Sequence, residues 1–310
     1  MREAIEKLKK LGSKRIFVQF PEGLRLKIQD IAKQIEKEDF EVILSMEPCY
    51  GACDIREDEA KRLGCDAILH IAHEDYGVKT EIPVVYYPYF MEADPIPILE
   101  KEFDKLEKFK KIGLITSLQF VKTIPSVKKF LEDKGKKVFV SKSGTERYDA
   151  QILGCRIDAG KNIENEVDAF LCISAGKFYP LGLVMNTDKP VFNLDLEKRQ
   201  IHDLEEKKKQ IKKIEAWNLS QLKDAKKIGL LLSWKRGQIQ GSPFELKKKL
   251  EDEGKEVFVL AMDEISQEKL QGLKFDILIS FACPRITDDL EKFKIPLIDN
   301  SLLYKMEKSK

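Results

Sequence analysis

Short, nearly continuous apolar runs alternate along this chain with stretches in which apolar residues return every three to four positions. Uninterrupted apolar runs of this length mark strands buried on both faces, and the intervening period marks amphipathic helices. The pattern restarts. Residues 110–117 (KKIGLITS) return as 226–233 (KKIGLLLS), and 128–140 (KKFLEDKGKKVFV) return as 247–259 (KKKLEDEGKEVFV), identical at ten of thirteen positions. The offset grows from 116 to 119 residues, which places three extra residues in a loop of the last copy. A fainter copy opens the chain with 14–19 (KRIFVQ) and 34–44 (QIEKEDFEVIL).

Each copy continues with a third apolar run that begins at an aspartate: 66–72 (DAILHIA), 168–175 (DAFLCISA) and 276–282 (DILISFA). A fourth run closes each copy at 84–87, 191–193 and 296–299. Strands alternating with helices predict an α/β protein built from three similar Rossmann-like parallel βαβ domains, 1–105, 106–222 and 223–310. In open parallel sheets ligands bind outside the carboxyl ends of the strands. Three copies around a pseudo-threefold axis would therefore aim one contribution each at a central site.

Charge and composition narrow the partners. With 55 basic and 53 acidic side chains among 310 residues the net charge is +2, so no direct nucleic-acid footprint is expected. Residues 1–10 (MREAIEKLKK) read as a charged helix start without the apolar core of a secretory leader, and Lys177 and Pro180 interrupt the apolar window 170–187. A cytoplasmic protein without a membrane span is expected. The run 207–213 (KKKQIKK) reads as a solvated helix face.

Six cysteines in a chain without an export signal are not a disulfide framework. Cys172 lies inside a strand, where a thiol packs as a small hydrophobe. Cys65 directly precedes a strand, at the amino edge of its sheet. Cys53, Cys155 and Cys283 each follow a strand, one in each copy, at the carboxyl edge. Cys53 precedes a helix expected to begin at Asp54, whose dipole favours a thiolate. Cys155 ends the long loop 141–155, and Cys283 leads into a helix over 284–293 with Thr287 as expected N-cap. Three thiolates placed this way can hold a metal centre. Cys49 shares the Cys53 loop in a CxxxC spacing. Zinc would want a fourth ligand, with Cys49, His70 or His73 as the available groups, whereas an iron–sulfur cluster on three cysteines leaves one iron open. Ligand count alone does not choose between them. His73, at a strand end, reads as a hydrogen-bonded structural residue.

Four segments add a resemblance: 19–24 (QFPEGL), 50–54 (YGACD), 151–155 (QILGC) and 282–286 (ACPRI). In this order, and on a threefold repeat, they resemble the diphthamide biosynthesis enzymes of the Dph1/Dph2 family, in particular its archaeal members. The resemblance implies three domains in a triangle, with Cys53, Cys155 and Cys283 holding a [4Fe-4S] cluster at the centre. It implies a 2-(3-amino-3-carboxypropyl)histidine synthase, a radical enzyme that reductively cleaves S-adenosyl-L-methionine (SAM). The 3-amino-3-carboxypropyl radical adds to C2 of a histidine imidazole in translation elongation factor 2. A homodimer and an external electron donor are implied as well. The chain has no CxxxCxxC motif of ordinary radical SAM enzymes. Polar residues at the inferred carboxyl edges are the expected SAM contacts: Glu22, Gly23, Gln151, Lys235, Gly237, Gln238 and Arg285. Arg285 suits a carboxylate bidentately, and equally suits a bridge to Asp288 or Asp289. Two rival readings are a quinolinate synthase-like enzyme, with its [4Fe-4S] cluster acting as a Lewis acid, and a zinc-stabilised scaffold that binds a translation factor.

Overall fold

Each copy of the repeat folds into its own sheet in the computed structural model, which describes residues 1–142, 144 and 146–303. The end of the third expected domain, 304–310, lies outside the described residues. The first sheet comprises β1 (Arg15–Gln19), β2 (Glu41–Leu44), β3 (Ala67–Ile71) and β4 (Val84–Tyr87), in the order β2-β1-β3-β4, all parallel. The second comprises β5 (Lys111–Thr116), β6 (Lys137–Phe139), β7 (Ala169–Ser174), β8 (Val191–Asp195) and β9 (Gln200–Asp203), in the order β6-β5-β7-β8-β9. The third comprises β10 (Lys227–Ser233), β11 (Glu256–Met262), β12 (Ile277–Ser280) and β13 (Leu297–Asp299), in the order β11-β10-β12-β13. The α/β class with several parallel-sheet units is thus the observed one. Strand β9 is the addition. It pairs antiparallel with β8, and its short mixed sequence QIHD carries neither strand nor helix periodicity.

Burial on both faces explains the continuous apolar runs. In the first sheet Ile16, Val18 and Leu69 pack on one side with Leu8 and Ile35 of the flanking helices, while Phe17 and Ile68 pack on the other with Ile55 and Ala60. The same split puts Leu114 and Leu171 opposite Phe170 and Cys172 in the second sheet, and Leu230 and Ile279 opposite Leu231 and Leu278 in the third. A buried side chain of this kind contributes about 1.5–3 kcal/mol.

The aspartate that opens each third run has a structural reason. Asp168 Oδ2 accepts the backbone N–H groups of Lys110 (3.0 Å) and Lys111 (2.8 Å), where β5 begins. Asp276 Oδ2 accepts those of Lys226 and Lys227, both at 2.8 Å, and Asp66 Oδ2 those of Lys14 (2.8 Å) and Arg15 (3.3 Å). The start of each central strand is clamped by one carboxylate from its neighbour.

Two compact units divide the chain: residues 1–91 with 235–237, and residues 92–234 with 238–310. The first contains the first sheet and the second the other two. Residues 92–105 therefore pack with the second sheet, ahead of the boundary expected near 105. Glu102 accepts the Ile201 N–H at 2.7 Å, and Lys105 donates to the Ile201 carbonyl at 2.6 Å, which ties helix Ile96–Glu102 to β9. The lysine run lies on the helix Glu205–Gln221 and is largely solvated, except that buried Lys208 donates to the Thr187 carbonyl at 2.6 Å.

The backbone hydrogen bonds hold Asp168 and Asp276 below the ordinary aspartate value of 3.8. A carboxyl depressed on folding stabilises the native state above its unfolded value and loses that contribution as pH falls. Asp168→Ala and Asp276→Ala are each expected to cost about 1 kcal/mol at neutral pH, a figure reduced for solvent screening. In urea unfolding series at stepped pH, the difference from the unsubstituted protein should shrink below about pH 4.

Candidate functional site

At the carboxyl edge of the first sheet, the loop after β2 carries Cys49 and Cys53. Gln19, the last residue of β1 and fully buried, holds this loop with both ends of its amide. Its Nε2 donates to the Asp54 carbonyl and its Oε1 accepts the Arg56 N–H, both at 3.0 Å. The Asp54 carboxylate pairs with Lys235 at 2.8 Å, the two side chains being 3% and 4% exposed. Lys235 also lies 5.0 Å from the centre of the Tyr50 ring. The Gly237 N–H donates to the Cys53 carbonyl at 2.9 Å. A Cβ on Gly237 would stand 2.7 Å from the Cα, Cβ and carbonyl oxygen of Cys53, so only glycine allows this approach. Arg236 pairs with Glu57 at 2.6 Å and Asp58 at 3.2 Å. Three consecutive residues thus press on the half-buried Cys53 and its loop.

These contacts correct one expectation. The helix after Cys53 begins at Glu57 and has six residues, because the Asp54 N–H closes a turn on the Gly51 carbonyl and Gln19 takes the Arg56 N–H. Cys53 is not at a helix N-terminus, so no helix dipole acts on its thiol. Glu22 and Gly23 lie in an exposed single turn, where Glu22 pairs with Arg25 at 2.6 Å.

In the second unit, exposed Cys155 sits in a tight turn closed by the Leu153 N–H on the Arg156 carbonyl at 2.8 Å. Half-buried Cys283 immediately precedes a 3₁₀ helix, Pro284–Lys292, not an α-helix capped by Thr287. The Thr287 hydroxyl instead donates to the Pro284 carbonyl at 3.0 Å within that helix. Arg285 joins the two turns. One guanidinium nitrogen donates to the Gly154 carbonyl at 2.8 Å and another pairs with the Asp288 carboxylate. The guanidinium lies 4.1 Å from the centre of the Phe178 ring, inside the range of a cation–π contact. A Cβ on Gly154 would come within 2.5 Å of Phe178 and 2.6 Å of Arg285. The Asp288 bridge is therefore the arrangement the structure adopts for Arg285. Gln151 is buried and extends the second sheet by a parallel bridge to Thr116. Its Oε1 accepts the Tyr148 N–H at 3.3 Å, and its buried Nε2 has no hydrogen-bond partner among the described residues. Gln238 is buried as well.

The remaining cysteines behave differently. Cys172 lies in the core of the second sheet, where burial pushes its thiol up, and buried Cys65 packs behind β3. Cys49 is buried, its thiol pushed up to about 12 by burial and then by the Asp54 carboxylate. Cys53, Cys155 and Cys283 are the cysteines not buried, and each stands at the carboxyl edge of a different sheet. Thiolate sulfur is the donor that iron–sulfur clusters take. Gln19 and the 235–237 segment had escaped the sequence reading as loop anchors. The one available signal was a polar glutamine ending an apolar strand.

Several parallel α/β sheets, each with a cysteine beyond its strands that is not buried, define the class of fold. The chain belongs to the diphthamide synthesis protein family, whose model matches residues 20–301. It is 31% identical over 301 residues to the 2-(3-amino-3-carboxypropyl)histidine synthase of Pyrococcus horikoshii, covering 96% of this chain and 86% of that one. The enzyme of the same name from Methanocaldococcus jannaschii is 30% identical over 334 residues, covering 99% and 90%. The crystal structure of Dph2 from Pyrococcus horikoshii with a 4Fe-4S cluster superposes with a TM-score of 0.86 at 29% identity, covering 100% of this chain and 90% of that one. No helix among the described residues is long and apolar enough to cross a membrane.

Removing one partner of a buried ion pair strands the other charge, at a cost of about 3 kcal/mol. Lys235→Met is expected to lower unfolding stability by that order in urea titrations, with part of the loss recovered in Lys235→Met/Asp54→Leu. In metal-free protein at pH 8, iodoacetamide is expected to modify Cys155 first and Cys49 and Cys172 only on unfolding. Peptide mass spectrometry over a time course reads that order.

Proposed function

We propose that this protein is a 2-(3-amino-3-carboxypropyl)histidine synthase that uses a [4Fe-4S] cluster and SAM to modify a histidine of translation elongation factor 2. The observation that carries the reading is the near full-length relation to synthases of that name, joined to an accessible cysteine at the carboxyl edge of each sheet. The family match favours this reading over a quinolinate synthase-like Lewis acid, which ligand count alone leaves open.

Cys53, Cys155 and Cys283 would hold the cluster. When bound, the cluster would supply one electron and an open iron for cleaving SAM between its sulfur and the γ-carbon of its methionine part; 5′-methylthioadenosine leaves, and the 3-amino-3-carboxypropyl group replaces the hydrogen on C2 of the imidazole, which departs as a proton while one electron returns to the oxidised donor. The chain's own residues set positions. Gln19, Lys235 and Gly237 fix the Cys53 loop, and Arg285 holds the Cys155 turn to the Cys283 turn. Arg285 is thereby engaged as a positioning residue. Gln151 is the better SAM contact among the expected residues, since its buried Nε2 still has a proton to donate. The protein works in the cytoplasm as a homodimer, supplied by an external electron donor.

The test is anaerobic incubation of cluster-loaded, dithionite-reduced protein with SAM and elongation factor 2. The factor is expected to gain one 3-amino-3-carboxypropyl group on a single histidine by mass spectrometry. Cys53→Ala, Cys155→Ala and Cys283→Ala should each lose cluster and transfer, while Cys65→Ala and Cys172→Ala keep both. Intact SAM after incubation with fully reduced cluster would refute the reading.

A further inference from the structure

Behind the Cys53 loop, the first unit gathers a second set of ligating side chains that the proposed reaction does not use. Cys49 Sγ lies 3.8 Å from His70 Nε2, and His70 Nε2 lies 2.9 Å from His73 Nδ1. All three atoms fall within 4.8 Å of one another. Cys49 and His70 are buried and His73 is half-buried. We propose that Cys49, His70 and His73 form a metal site for a single zinc-class divalent ion, separate from the cluster cysteines.

The distances suit one ion. Zinc sits about 2.0–2.1 Å from imidazole nitrogen and about 2.3 Å from sulfur, so ligand atoms around a tetrahedral ion stand about 3.3–3.6 Å apart. Shifts of about 1 Å or less in the side chains bring the three atoms to that spacing. The donors choose the metal class. One sulfur and two nitrogens with no carboxylate exclude calcium and magnesium, which take oxygen ligands, and favour zinc or its first-row neighbours. Three protein ligands leave a fourth position for water.

The local backbone is bent toward this arrangement. His70 lies near the end of β3 and His73 just beyond it, and between them Ala72 holds a left-handed conformation with φ of 69°. That conformation costs a non-glycine residue about 1 kcal/mol. The Ala72 N–H, fixed on the Tyr87 carbonyl at 2.8 Å, holds the bend, which turns His73 back onto His70. At most one proton can lie between the two imidazole nitrogens at 2.9 Å, where an ion would take both lone pairs. An ion bound by Cys49 would replace the thiol proton. It would tie the loop after β2 to the end of β3.

The experiment loads the full-length, cluster-reconstituted protein with zinc anaerobically, removes loose metal on a chelating resin, and counts zinc and iron by mass spectrometry. One zinc per chain is expected, with zinc affinity falling about tenfold or more in Cys49→Ala and in His73→Ala while iron is unchanged. Zinc should raise the melting temperature of the unsubstituted protein and of neither variant. Cobalt added to the Cys53→Ser/Cys155→Ser/Cys283→Ser protein should give a thiolate-to-cobalt charge-transfer band, absent once Cys49→Ala is added. Zinc retained equally in both single variants would overturn the proposal, as would no zinc uptake by the folded unsubstituted protein. Iron lost from Cys49→Ala would also overturn it, by assigning Cys49 to the cluster instead. Failure of the SAM reaction with zinc bound would refute the synthase reading and leave this one standing.

Discussion

One carboxylate closing on two backbone N–H groups, repeated in all three sheets, is the constraint on which the rest of each sheet depends. The first strand of each copy is flanked on both sides, so its amino end must enter the sheet at one defined residue. Asp66, Asp168 and Asp276 secure that entry from the neighbouring strand. Side chains alternate faces along a strand, so a slip of one residue would exchange the two buried faces. In β1 that would trade Ile16 and Val18 for Phe17, two different packing environments. A strand fixed at its start is also fixed at its finish. The polar residues emerging at the carboxyl edge then arrive where the loops need them. Gln19 holds the Cys53 loop, Thr116 donates to the Ile173 carbonyl at 2.9 Å, and Ser233 donates to the Asp263 carbonyl at 2.9 Å.

This logic explains which parts of the molecule were legible in the sequence. Periodicity reports burial, and strands buried on both faces leave continuous apolar runs, so the parallel strands of each copy could be read off directly. The opening aspartates were visible as a repeated letter before their hydrogen bonds were known. Sorting cysteines by sheet edge separated Cys53, Cys155 and Cys283 from Cys65 and Cys172 for the same reason. Local geometry was less legible. The helix expected at Asp54 starts at Glu57, because Gln19, distant in sequence, takes the Arg56 N–H, and the helix at 284–293 is of the 3₁₀ kind, with the Thr287 hydroxyl turned back on the Pro284 carbonyl. Asp54 is spent on Lys235, 181 positions away in the chain. No window of sequence contains such a pair.

The Lys235–Asp54 pair has an energetic peculiarity. Desolvating two charges costs several kcal/mol each, and a buried pair recovers this only when the geometry is good, so apolar residues of equal volume would serve stability as well or better. What the pair gives is direction. An ammonium held at 2.8 Å from one carboxylate and over one aromatic ring fixes the height and orientation of residues 235–237. Gly237 then meets the Cys53 backbone closely enough to donate its N–H. Apolar packing tolerates small slides, and a buried ion pair at contact distance does not.

Cys155 and Cys283 are held by other means. Arg285 spends its planar fork on a carbonyl and a carboxylate while its face rests on Phe178, so three neighbours restrain one side chain. The carbonyl it holds belongs to Gly154, the residue before Cys155, and Arg285 itself stands two residues after Cys283. Any displacement of one turn is thus transmitted to the other through a single rigid group. A lysine at this position would keep the charge but lose the second donor direction and the flat face. The glycine at 154 follows from the same packing, since a Cβ there would occupy the space taken by the Phe178 ring and the guanidinium. Precision in a thiol site therefore rests less on the cysteines, which have only one rotatable bond to place, than on the backbone on either side of them, which these contacts leave little room to move.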